Sequence, residues 1–242
     1  MPMPLEYISL SVDGSTHSIH IRRDAKARRL TLRVRPAKRD ILLSVPERSS
    51  HAHAEKFIQQ NAAWIHEKLS ALPEQVQISH GAVIPIRGYD HEVVNVSRGK
   101  GVAWIAPSES TSRTEHCLYV AGDPPYVARR AKGFLKSLAH RDLERAVAHY
   151  SNALAVKQPR ITMRDTTSRW GSCSALGELS FSWRLIFAPA MVLDYLAAHE
   201  VTHLRVHNHS AQFWTLLESA CGHVVDAERW LKDHGSSLHR YV

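Results

Sequence analysis

The sequence predicts an α+β protein in two regions, a β-rich part with one helix over residues 1–120 and a mostly helical part over residues 121–242. Three observations carry this. Short apolar–polar alternations bounded by turn residues crowd the first half, and longer runs at helical spacing dominate the second. At about 100–200 residues per domain, 242 residues suffice for one large domain or two small ones.

Residues 5–46 read as strands. In Arg29-Leu30-Thr31-Leu32-Arg33-Val34-Arg35, strict alternation turns Leu30, Leu32 and Val34 to a core and Arg29, Arg33 and Arg35 to water or a partner. Pro36-Ala37-Lys38-Arg39 turns into a second strand, Ile41 to Val45, ended by Pro46. Ser49 or Ser50 then caps one helix to about Leu69, placing Phe57, Ile58, Trp64, Ile65 and Leu69 on the sheet. Runs at 84–86, 91–96, 102–105 and 117–120 read as further short strands, with a polar loop over 108–114. Asp123-Pro124-Pro125 opens a long helix to about Ala153, with Ala131, Phe134, Leu135, Leu138, Leu143 and Val147 along one side. Residues 160–187 return to β character, and Pro189 suits the first turn of the next helix. No internal repeat or low-complexity tract is visible.

Composition narrows the function classes. With 44% hydrophobic and 22% charged residues, the chain reads as globular, not disordered, collagenous or coiled-coil. Three scattered cysteines make no disulfide framework, which fits a reducing cytoplasm. The N-terminus lacks a signal-peptide pattern, and no run approaches the ~18 apolar residues of a membrane span, so the expectation is neither export nor insertion. The net charge of +8 is local: Arg22 to Asp40 holds nine basic and two acidic residues, +7 in all, and leaves +1 for the remaining chain. That segment is either a solvated sheet face or a nucleic-acid contact.

The 17 histidines have one spacing with chemical meaning. In a helix, His199-Glu200-Val201-Thr202-His203 stands two imidazoles one turn apart toward one ion, with Glu200 beside them. A catalytic zinc takes three protein ligands and keeps one position for water. His207 continues the series, but lies ~12 Å from His199 along the axis at ~1.5 Å per residue, too far to share an ion comfortably. Asn208 tolerates the left-handed conformation that ends helices, and a turn there swings His209 back, with Ser210 capping the following helix. The ligand set is therefore His199, His203 and His209, on Zn2+, with Glu200 as general base. Phe213, Trp214 and Leu217 follow at helical spacing and read as core holding that turn.

Thr167-Ser168-Arg169-Trp170-Gly171-Ser172-Cys173-Ser174, Leu179 to Leu185, His199 to Leu204 and Asn208-His209-Ser210-Ala211-Gln212-Phe213-Trp214 together resemble the YgjP-like metal-dependent hydrolases, relatives of the SprT and Spartan zinc peptidases. Arg28 to Val34 and Val45-Pro46 extend the resemblance over nearly the whole chain. The resemblance implies a minimal gluzincin-type zincin domain in the C-terminal region, a zinc held by the two helix histidines and the histidine of the Asn-His-Ser turn, and a catalytic glutamate. Ser182 departs from it, since relatives often carry Asn before the Trp.

Three functions follow as expectations: a zinc metallopeptidase acting on peptide or protein, a metal-dependent phosphohydrolase acting on nucleotides, and a nucleic-acid-associated protein using the basic 22–40 segment. Zinc-activated water attacks carbonyl and phosphoryl centres alike. The Trp170-Gly171-Ser172-Cys173-Ser174 segment reads either as a substrate-pairing strand or as a tight packing turn, with Cys173 as a conceivable fourth ligand. Arg169, Arg184 and His223 are the candidate oxyanion stabilisers.

Overall fold

A computed structural model describes residues 6–108, 113–166 and 169–242. The tip of the polar loop, 109–112, and Thr167 and Ser168 of the family-like motif lie outside the described residues. The chain divides into two compact units, Met1–Glu74 and Gln75–Val242. The division thus falls at Glu74 and not near residue 120. The reason is a shared core: Ile84, Val93, Leu118 and Val120 pack in one cluster with Leu135, Leu143 and Val147 of the long helix.

In the first unit, strands β1 (Glu6–Val12), β2 (Ser15–Asp24), β3 (Thr31–Arg35) and β4 (Asp40–Pro46) form a sheet in the order β1-β2-β4-β3, parallel only between β2 and β4. Leu10, Ile19, Ile41, Leu43 and Val45 are buried, and Leu30, Leu32 and Val34 pack against them, as the alternation requires. The single expected helix is two, α1 (His51–Gln60) and α2 (Ala62–Ser70). Between them Asn61, at φ −108° and ψ 15°, donates its side-chain N–H to the Phe57 carbonyl at 2.8 Å, a local bond that competes with helix continuation. Ser50 is the cap, its hydroxyl accepting from the His53 N–H at 3.2 Å. Ala54, Ile58, Ile65 and Leu69 make the buried row, while Trp64 beside it is 37% exposed instead of packed on the sheet.

In the second unit, β5 (Val83–Ile86), β6 (Tyr89–Val96), β7 (Ala103–Pro107) and β8 (His116–Ala121) form a sheet ordered β5-β6-β8-β7, parallel only between β6 and β8. Strand order and pairing sense repeat those of the first sheet, a duplication of topology that the sequence does not display. A 3-10 turn at Pro124–Tyr126 leads into α3 (Val127–Ala153). Next come β9 (Ile161–Arg164), β10 (Gly171–Cys173) and β11 (Leu179–Ser182), ordered β10-β11-β9, so β10 is an edge strand.

A fully buried 3-10 segment, Trp183–Phe187, precedes α4 (Ala190–Thr202), for which Pro189 is the N-cap residue and not part of the first turn. Helices α5 (Ala211–Ala220) and α6 (Val224–His234) complete the unit. Its two ends are stitched together: the Val76 N–H donates to the Arg240 carbonyl at 2.9 Å, Ile78 N–H to Val242 at 2.8 Å, and Val242 N–H to Val76 at 3.0 Å. No helix among the described residues is long and apolar enough to cross a membrane.

Candidate metal centre

Helix α4 is apolar almost all round, with Val192, Leu193, Tyr195, Leu196, Ala197, Ala198 and Val201 buried, so ionisable groups inside it need a reason. It carries His199, partly buried, and Glu200, 4% exposed. The regular helix ends at Thr202, with His203 as C-cap still in helical conformation at φ −61°, ψ −21°. Tight bonds close the end: Leu204 N–H to Val201 O, and the N–H groups of Arg205 and Val206 to Thr202 O, each at 3.0 Å. No residue from 204 to 210 has positive φ, so the chain returns without the left-handed residue expected at Asn208. Ser210 is the N-cap residue of α5, though its side chain makes no capping bond.

That return brings His209 to the helix pair. One imidazole nitrogen from each of His199, His203 and His209 lies within 4.8 Å of the other two, and the Nε2 atoms of His199 and His209 stand 3.1 Å apart. A tetrahedral ion with bonds near 2.0–2.1 Å holds its nitrogen ligands about 3.4 Å apart, so the spread fits one ion. His207 is exposed, outside this group. Phe213 and Leu217 are fully buried and Trp214 partly so; the Phe213 ring centroid lies 4.6–4.9 Å from all three imidazoles, forming the apolar floor.

Hydrogen bonds fix the tautomers. The His203 Nδ1–H donates to the Val206 carbonyl at 3.1 Å, leaving Nε2 as lone-pair donor to a metal. The Tyr195 hydroxyl donates to Glu228 at 2.8 Å and so accepts from His199 Nδ1–H, 3.2 Å away. Glu228 was not among the sequence candidates; it lies on α6, 33 residues from Tyr195, and no spacing rule links them. Burial and the neighbouring His203 and His209 lower the His199 pKa to about 4, and burial also lowers that of His203. Both therefore stay neutral, the form that binds a metal.

Glu200 is on the adjacent face. Burial raises its pKa to about 7, opposed by the charge of Arg169. Gly171 of β10 packs directly on its carboxylate. Cys173 follows two residues later; burial and the charge of Glu200 push its thiol up, away from the thiolate a metal needs, and it joins no metal-ligand cluster among the described residues.

The other candidates separate. Arg184, 8% exposed, is ion-paired with Asp165 at 2.7 Å and donates to the Tyr241 carbonyl at 2.7 Å, a structural clamp with no freedom to meet a substrate. His223 stands 3.0 Å from Asp194, apart from the histidine triad. Of the three candidates, Arg169 is the one whose charge acts on Glu200. In the basic segment, Arg35 grips Asp40 through two 2.6 Å bonds, Arg22 meets Asp24, and Arg23 and Arg39 bond backbone carbonyls, so part of that charge is committed within the fold.

No curated protein matches the chain. Among solved structures, the metallopeptidase zymogen abylysin of Pyrococcus abyssi aligns at 19% identity over 38% of this chain and 93% of its own, with a TM-score of 0.33. A family profile described as "YgjP-like, metallopeptidase domain" matches residues 28–234, a span that contains β3 to α6 and the histidine centre. On that match, the chain belongs to the YgjP-like metallopeptidase family.

Proposed function

We propose that the protein is a zinc-dependent peptidase in which His199, His203 and His209 hold the metal and Glu200 is the general base. The observation that carries the reading is the convergence of three imidazoles beside a buried carboxylate whose pKa stands at about 7. Zinc bound there would supply a water acidified toward pKa ~7 and polarise the scissile carbonyl.

The chain's own groups do the rest. Glu200, poised near neutrality by burial, accepts a proton and returns it to the departing amine. Tyr195 and the Val206 carbonyl hold His199 and His203 in the tautomers that keep Nε2 free. Strand β10, which lies against Glu200 and stands at the edge of its sheet among the described residues, can take an extended peptide along its outer side, which favours peptide or protein substrates. Arg169 is the remaining cationic candidate for stabilising developing negative charge.

The test is Glu200→Gln, assayed on unfolded protein and on nucleoside triphosphates with zinc quantified in the same samples. The variant is expected to keep its metal and lose about 10^2–10^4-fold in peptide turnover. Full activity in the variant removes Glu200 from the chemistry, and turnover of the triphosphates alone replaces the peptidase reading with phosphoryl hydrolysis.

A further inference from the structure

A second group of metal-ligating side chains lies away from the histidine triad. Asp194 on α4, Cys221 at the end of α5 and His223 at the start of α6 each present one ligand atom, all within 4.8 Å of one another. Asp194 is nine residues before His203, about 180° around the helix at ~100° per residue, so the two groups use opposite sides of α4.

Three features single this cluster out. His223 Nε2 is buried and stands 3.0 Å from an Asp194 carboxylate oxygen without the alignment of a hydrogen bond, so the two are placed to share something between them. The Tyr150 hydroxyl of α3 donates to the same carboxylate at 2.5 Å, orienting one of the three donors. A cavity of about 530 Å³, also bordered by His149, Asp142 and Met191, reaches Asp194 and His223 and gives access from outside. A donor set of one thiolate, one imidazole and one carboxylate selects a borderline-soft divalent cation of the zinc class over calcium or magnesium, which take oxygen.

We infer that Asp194, Cys221 and His223 form a second zinc-class site, with Tyr150 as the residue that positions Asp194 and the cavity supplying a water for the fourth position. Its ligands join the helix bearing His199 and Glu200 to the end of α5 and the beginning of α6, so occupancy braces the scaffold of the first centre from behind. The inference does not depend on the peptidase reading.

Cobalt(II) separates the two sites, because the triad contains no sulfur. The metal-free full-length chain is titrated with Co2+ alone and followed by absorbance, with bound metal counted after dialysis. Two equivalents are expected, accompanied by a near-ultraviolet sulfur-to-cobalt charge-transfer band. His203→Ala with His209→Ala should drop one equivalent and keep the band; Cys221→Ser should drop one equivalent and lose it. Cys173→Ser should change neither. His223→Gln, which leaves the thiol in place, should weaken cobalt binding at this site at least tenfold, a readout that survives if Cys221→Ser fails to fold. A band absent from the unsubstituted chain, retained in Cys221→Ser or lost in Cys173→Ser overturns the inference.

Discussion

Gly171 lies so close to Glu200 that a β-carbon added to it would stand 2.5 Å from Oε1, 2.9 Å from Cγ and 3.0 Å from Cδ. The glycine thus reserves the volume in which the carboxylate sits, and the edge strand and the helix are fitted to each other at this point. Gly171→Ala must displace the carboxylate or the strand. Since an ångström of misplacement can lose about 10^2-fold in rate, turnover should fall by that order while bound metal stays constant. Peptide hydrolysis with parallel metal analysis checks this; unchanged turnover means that Glu200 relaxes without consequence.

The Tyr195 hydroxyl couples His199 to Glu228. Tyr195→Phe removes the acceptor that fixes the imidazole, and metal affinity should drop about 10–100-fold. Competition against a chromogenic chelator measures it. Equal affinity would reduce Tyr195 to a packing residue.

Arg169 opposes the rise in the Glu200 pKa. In Arg169→Gln the carboxyl loses that help and titrates higher, so the acid limb of kcat/KM should move to higher pH. High salt should shrink the difference, as screening requires. A limb that does not move assigns it to another group.

His239, 5% exposed and stacked on Trp170 at 4.9 Å between centroids, has its pKa lowered from 6.5 to about 4 by burial and then by Arg184. Between those values the unfolded chain holds the extra proton, so the contribution to stability is complete above pH 6.5 and is lost as pH falls through 4. The ceiling is about 3 kcal/mol. Denaturant unfolding of metal-free protein at several pH values should show a shallower acid loss in His239→Phe, which keeps the aromatic stack.

How far the sequence could be read depended on the range of the interactions. His199, Glu200 and His203 are legible because helix geometry alone sets i to i+4 neighbours, and His209 because only a return of the chain completes the set. The return takes a different route from the expected one: three bonds to the Val201 and Thr202 carbonyls end the helix, not a left-handed Asn208. Asn61 breaks a helix through a side-chain bond that apolar periodicity does not record. Arg184 looked available as a cation and is instead clamped to Asp165 and Tyr241, partners 19 and 57 residues away. The division at Glu74 was hidden because the second sheet buries its apolar face on α3, a pairing decided in three dimensions.

The backbone stitch between Val76 and Val242 has a topological consequence. Since the 75–242 unit starts and finishes side by side, a short linker could join those points into a ring that is then reopened in an exposed connection elsewhere. Such a permutant, made without residues 1–74, should retain the histidine cluster and report whether this unit is self-sufficient.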